Sequence, residues 1–377
     1  MRKTHILFRK SSLLSTNKAS YARTIKKGND TPSEPSETQK EPAKRILTGM
    51  QPTGKFHIGN YLGTLKQWKT YQDNNPVGTC YFFLADLHAL SDIFTPRPDS
   101  QIDPNIGANT LHNFATVLAC GVDPAKSNFF IQSQIPMISE LYWILSSCVP
   151  LHWLNRMTQF KSKKTEGSTA ALYTYPILMA ADILLFKGSL VPVGDDQTQH
   201  IEFAREAAER INKIASKSIL PKPKALLSAA PRVMSLHDAT SKMSKSDPIE
   251  KNKIYLLDRT EVIKNKIMKA KTDSLLHITN DPLRKELSNL VQIYAGFKGT
   301  SAQTIYDEFE GKKLVELKTS LAELMISELL PIQEKYDQLI RDREYLKNAI
   351  EHGKLSTLEE AYKNLKEIKE AFNLICD

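Results

Sequence analysis

Short apolar runs that alternate with helical periodicity restrict the fold of this chain more than any other feature. Ile46-Leu47-Thr48 is a short apolar run broken by Gly49 and by the Pro52-Thr53-Gly54 turn, and Ile58, Tyr61, Leu62, Leu65 and Trp68 then follow at helical spacing. Thr79 to Ala85 is continuously apolar apart from its first residue, Asn128 to Ile131 follows a helical pattern over 105–120, and Leu190 to Val193 ends at Gly194. Runs of this length without polar alternation suit strands covered on both faces. Strands interleaved with helices predict an α/β fold whose doubly wound parallel, Rossmann-like sheet occupies residues 45–250, with ligands gathering beyond the strand C-termini. After residue 258 no strand pattern remains. Amphipathic stretches at Leu314 to Leu330, Ile332 to Ile350 and Leu358 to Phe372, punctuated by Pro331 and Gly353, predict an all-α C-terminal domain over 251–377. No fixed-period repeat is present.

The chain has 377 residues, 41% of them hydrophobic, which is ample for a core. No stretch reaches the ~18 uninterrupted apolar residues of a spanning helix. Cys80, Cys120, Cys148 and Cys376 form no CxxC pair and no Cys/His cluster, so neither structural zinc nor a disulfide framework is expected. The formal charge is +9, but residues 1–45 carry eleven Lys/Arg against four Asp/Glu, which leaves only about +2 for the remainder. RNA contact, if made, must come from local patches. From Met1 to Asn29 the sequence has eight basic residues, abundant Ser/Thr and no acid, with Ile6-Leu7-Phe8 and Leu13-Leu14 able to form an apolar stripe. That composition reads as a mitochondrial transit peptide, a plain basic arm being the alternative, and residues 30–44 as a Pro/Ser/Glu-rich linker. The matrix is the expected destination.

Two segments carry the chemistry. His57-Ile58-Gly59-Asn60 stands at a helix start, where unpaired N–H groups and the positive end of the dipole attract phosphate, and Gly59 allows close approach. Lys242-Met243-Ser244-Lys245-Ser246, closed by Pro248, is a Ser-rich loop that can bring two mobile ammonium groups to a leaving pyrophosphate. No Ser/His/Asp or Cys/His constellation accompanies them.

The first segment resembles the HIGH signature and the second the KMSKS signature of class I aminoacyl-tRNA synthetases, with Asn60 in place of the second His. Gly49 to Gly54, Met157 to Lys161, Tyr175 to Asp182 and Gly194 to Gln197 narrow the resemblance to bacterial-type tryptophanyl-tRNA synthetases, from about Ile46 to the C-terminus. The resemblance implies that His57 and Asn60 contact the ATP phosphates, with Gln51, Gly59 and Ser244 beside them. It further implies that Asp196 holds the ribose and that Val233 and Met243 flank the adenine. Lys242 and Lys245 would stabilise the transition state, with Lys163 a third phosphate partner or a surface lysine. Asp182 would accept the indole N–H of tryptophan among Leu47, Met179, Val191 and Val193, with His88 nearby. Tyr175 and Gln197 would hold the α-ammonium, and Gln51 would orient the carboxylate. For His57 a purely structural N-cap is the alternative, and for Asp182 a pairing with an Arg or a helix N-terminus.

No acidic pair is placed to bind metal, so Mg²⁺ should arrive with ATP and no protein-bound metal is expected. The partners implied are tryptophan, ATP, a mitochondrial tRNA(Trp) read by the C-terminal helices, and a second copy in a homodimer. Lys251, Lys253, Lys264, Lys266, Lys269 and Lys271 either meet tRNA phosphates or form a solvated helix face. The rival functions are a tyrosyl-tRNA synthetase, a non-catalytic RNA-binding or splicing relative, and a small-molecule nucleotidyltransferase.

Overall fold

In the computed structural model, residues 44–94, 104–158, 160, 168–194, 197–227, 232–275 and 277–376 are described. Five parallel strands form one sheet: β1 (Ile46–Met50), β2 (Cys80–Leu84), β3 (Asn128–Ile131), β4 (Leu190–Val193) and β5 (Lys224–Leu227), in the order β3-β2-β1-β4-β5. The four apolar runs of the sequence are β1 to β4. The fifth strand, in Lys224-Ala225-Leu226-Leu227, was not foreseen. It is an edge strand with exposed ends and offers too short an apolar run to stand out.

Alternate residues of the strands serve two cores. On β2, Cys80, Phe82 and Leu84 face one side and Tyr81 and Phe83 the other; on β3, Phe129 and Phe130 divide in the same way. This is the period of two expected for a strand with helices on both faces. Trp68 stacks on Phe82 at 4.8 Å in the first core, and Phe83 on Phe130 at 5.5 Å in the second. Helix α1 begins with Ile58–Asn60, continues through the π-helical Tyr61–Leu65 and ends with Lys66–Asn74. With α3 (Ile106–Ala119) it covers the first face, while α4 (Pro136–Cys148), α6 (Ala170–Leu185) and α7 (Thr198–Ile214) cover the second. Helix α2 (Asp86–Ile93) leaves the end of β2, and the short α5 (Leu151–Asn155) follows α4.

Beyond residue 258 the described residues contain helices and no strand: α8 (Thr260–Met268), α9 (Lys285–Lys298), α10 (Ala302–Glu308), α11 (Leu314–Arg341) and α12 (Arg343–Ala371). Ala43–Asp377 makes one compact unit, and the expected boundary at 250/251 falls inside it. Ile254, Ile263, Val291, Leu317 and Met325 share a core with Trp68 and Phe82. Pro331 and Gly353 do not punctuate the helices as expected, since α11 runs through the first and α12 through the second. The break falls instead at Asp342, whose carboxylate accepts from the Tyr345 N–H at 2.9 Å and caps α12.

Gly353 has a different task. α12 returns to the sheet and lies against β3, and a Cβ at position 353 would collide with the Phe129 carbonyl oxygen. The helix thereby shields an edge strand. Ala361, Leu365 and Ile368 join the second core, and Asn364 donates to the Leu185 carbonyl at 2.9 Å. Gly353→Ala should lower unfolding free energy by about 1–3 kcal/mol, the usual cost of overpacking. Denaturant titration checks this, and unchanged stability would show that α12 does not need the close approach.

Candidate active site

A crevice opens where the sheet changes direction. β1 keeps register with β2 from Ile46↔Cys80 to Met50↔Leu84, but pairs with β4 only at Ile46↔Leu190. Beyond that pair the two strands part, as expected at the switch point of a doubly wound sheet. A cavity of about 350 Å³ lies there, lined by Leu47, Gly49 and Gln51 after and along β1 and by Val191 and Val193 of β4. One face of α6 supplies Leu172, Tyr175, Met179 and Asp182, at the three- and four-residue spacing that stacks side chains along a helix. α2 adds His88, and Gln197 stands at the start of α7. All nine side chains expected around the indole amino acid therefore line one cavity, together with Phe83 and Ile183, which were not anticipated.

Asp182 is buried to 2% exposure, a costly position for a carboxylate without donors. Among the described residues neither an Arg nor a helix N-terminus serves it. His88 Nε2 lies 3.0 Å from Oδ2, and Gln132 Nε2 donates to both oxygens, at 2.8 and 3.0 Å. Gln132 is itself held, its Oε1 accepting from the Leu87 N–H at 3.1 Å. Burial still pushes the Asp182 carboxyl above the usual carboxylate range, against the lowering effect of His88 and Gln132. Oδ1 has one of these bonds and so retains acceptor capacity for a further N–H or O–H. A second, half-buried relay borders the same cavity: Tyr175 Oη lies 2.8 Å from His200 Nε2, and His200 Nδ1 2.8 Å from Gln197 Oε1. Sequence reading missed Gln132 and His200. Gln132 follows β3 directly, at the C-terminal end where such folds place ligand-binding groups, and that was the available signal.

The two signature segments meet in a neighbouring cleft of about 590 Å³. Asn60, Lys242, Met243, Ser244, Lys245 and Ser246 line it, and it shares Gly49, Gln51, Asp92 and Gln197 with the first cavity. His57, Gly59 and Val233 do not line it. His57 is an N-cap: its Nδ1 accepts from the Gly59 N–H at 3.1 Å, while Asn60 Oδ1 reaches back to the His57 N–H at 3.1 Å. The Asn that departs from the general signature thus closes a capping box. Burial, followed by Lys245, Lys242 and Lys253, lowers the His57 pKa to about 3, so the ring is neutral near pH 7 with its proton on Nε2. A Cβ at Gly59 would crowd that ring at 2.9 Å. Val233 accepts from the Met243 N–H at 3.1 Å, and both side chains are buried.

Lys242 is exposed and Lys245 half-buried. The Lys245 ammonium donates to the Gln51 carbonyl at 2.7 Å and stands 4.4 Å above the Phe56 ring. Asp196 and Lys163, expected at the ribose and the phosphates, lie outside the described residues, as do Lys161, Lys164 and the leader through residue 43. Among the six lysines after the loop, Lys251, Lys264, Lys269 and Lys271 are exposed. Lys253 is buried and Lys266 is paired with Asp258 at 2.8 Å, which corrects the expectation that all six could meet phosphate.

Burial lowers the Lys245 pKa to about 7. Phosphate beside this amine favours its charged form, so binding must raise the pKa and take up a proton at pH values above 7. ATP affinity should therefore fall as pH rises from about 7 to 9, by up to about tenfold per unit, and Lys245→Arg should flatten the slope. Titration calorimetry in buffers of different ionisation enthalpy reads both the affinity and the proton. A pH-independent affinity without proton uptake would separate Lys245 from the phosphates.

The family described as tRNA synthetases class I (W and Y) matches residues 39–329. The tryptophan–tRNA ligase of Rickettsia conorii is 40% identical over 337 residues, which cover 88% of this chain and 99% of that relative. The tryptophanyl-tRNA synthetase of Mycoplasma pneumoniae has a similar structure, with a TM-score of 0.76 at 32% identity over 89% of this chain and 99% of that one. The Campylobacter jejuni synthetase, solved with ADP and tryptophan, gives 0.71 at 33% identity over 88% and 100%. Likeness of this extent, in sequence and in fold, makes the chain a class I aminoacyl-tRNA synthetase and a member of the tryptophan–tRNA ligase family.

Proposed function

We propose that this enzyme activates tryptophan with ATP and transfers it to the 3′-terminal ribose of tRNA(Trp) in mitochondria. The observation that carries the reading is the junction of two sites: a cavity with Asp182 inside it shares Gly49, Gln51, Asp92 and Gln197 with the cleft that bears Lys242 and Lys245. An amino acid whose ring N–H donates to Asp182 would direct its carboxylate toward that shared wall. There a carboxylate oxygen attacks the α-phosphorus, the bond to the bridging oxygen breaks, and pyrophosphate leaves. Positioning and cationic stabilisation of the departing charge account for the rate, with no covalent enzyme intermediate. Lys242 and Lys245 meet that charge, while His57, buried outside the cleft, caps the helix start that carries Asn60 into it. Mg²⁺ enters as part of the ATP substrate.

Transfer to RNA is assigned to the helices after residue 258 for the anticodon. The exposed Lys251, Lys264 and Lys269 suit the phosphates of the acceptor arm. The mitochondrial assignment rests on the leader, whose eight basic and no acidic residues up to Asn29 lie outside the family match beginning at residue 39.

Protein beginning at residue 43 should catalyse ATP–pyrophosphate exchange that depends on tryptophan, with tyrosine far poorer, and should run as a dimer by light scattering. Asp182→Ala should raise the tryptophan KM much more than it lowers kcat. Equal exchange with tyrosine would overturn the specificity. Residues 1–44 fused to a fluorescent protein should carry it into mitochondria; a cytosolic fusion would remove the compartment from the proposal.

A further inference from the structure

The segment that follows the catalytic-lysine loop hides a third lysine. In Lys251-Asn252-Lys253-Ile254-Tyr255 the first lysine is exposed, whereas Lys253 is 2% exposed. An ammonium buried to this degree is costly unless its donors are taken up. Among the described residues its one acidic neighbour by ion-pair distance, Glu250, is 3.7 Å away with its side chain 68% exposed. The near partners are main-chain carbonyls: Lys245 at 3.1 Å and Asp247 at 2.5 Å, both within the loop itself, with the Tyr255 ring at 5.4 Å. Asn252 adds a bond from Nδ2 to the Asp247 carboxylate at 2.8 Å.

The same segment is joined to the other signature. The Ile58 N–H donates to the Ile254 carbonyl at 2.9 Å and the Leu256 N–H to the Phe56 carbonyl at 3.0 Å, so that His57 and Tyr255 face each other across an antiparallel bridge. Lys253 is also one of the charges that lower the His57 pKa. Its ammonium thus lies between the loop that carries Lys242 and Lys245 and the helix start that carries His57 and Asn60.

We infer that Lys253 is a positioning residue: clamped on the carbonyl oxygens of Lys245 and Asp247, it fixes the lysine loop relative to the Phe56–Ile58 segment and so sets where Lys245 meets the phosphates. The inference rests on the ATP-dependent activation proposed above. Lys253 touches no substrate in this role and acts through Lys245.

The test uses the full chain and tryptophan-dependent pyrophosphate exchange, with Lys253→Gln, Lys245→Ala and the double variant compared with wild type. Lys253→Gln should lower kcat by about ten- to hundredfold, the scale of a displacement near 1 Å, with the tryptophan KM unchanged. In the Lys245→Ala background the same change should cost less than about threefold, because the residue through which it acts is gone. Equal losses in both backgrounds, a tryptophan KM that rises in step with the loss, or an unchanged rate would each overturn the inference. Lys253→Arg keeps the charge with a bulkier head and is read by the same criteria if the neutral variant does not fold. A wild-type chain without tryptophan-dependent exchange would instead overturn the activation reading.

Discussion

Every feature of the site depends on the parting of β1 from β4. β1 is locked to β2 over five residue pairs, while its only partner in β4 is Ile46↔Leu190, so the strands diverge within one residue of the cavity wall. Leu47, Gly49, Val191 and Val193 then face a gap that neither strand can fill. Gly49 has its own constraint, since a Cβ there would collide with the Phe83 ring. Helices on both faces are what permit such a gap, because they bury the sheet without crossing the ends of its strands.

Two groups perturbed by burial lie in the two adjoining pockets, Asp182 in the cavity and Lys245 in the cleft. Asp182 is kept in place by His88 and Gln132 although burial disfavours its charge, and Lys245 is held over Phe56 although burial lowers its pKa to about 7. Each stands where a ligand would supply what is lacking, a ring donor for the carboxylate and phosphate oxygens for the amine, which is the usual reason for perturbed groups to collect at a site. Lys253 differs from both in donating to two main-chain carbonyls, those of Lys245 and Asp247, where Lys245 donates to one.

The helical half of the chain belongs to the same argument. α8, α9 and α11 share the core of Trp68 and Phe82, and α12 comes back to cover β3, where only a glycine at 353 permits the approach. Tyr61 and Lys66, on the helix that follows His57, both bond Glu328 of α11, at 2.7 and 3.0 Å. The start of α1 is thereby braced from the side away from the sheet.

The sequence by itself determined the element types, the first four strands, the two signature segments and the nine side chains around the cavity. The element types, the strands and the signatures are set by periodicity, by turn residues and by motifs that lie within a few residues of one another, whereas the nine side chains followed from the resemblance to a known family. β5 escaped because a short edge strand carries little apolar pattern, and Pro331 and Gly353 were misread because packing on α11 and α12 outweighs local helix-breaking tendency. Only the tertiary structure decided which groups satisfy Asp182, that His57 caps its helix and that Lys253 turns inward while Lys251 does not. Gln132 is 50 residues from Asp182, and the Phe56–Ile58 segment lies nearly two hundred residues before Lys253. Hydrogen bonds across such separations are set by the packing of helices on a sheet, and no local pattern of residues encodes them.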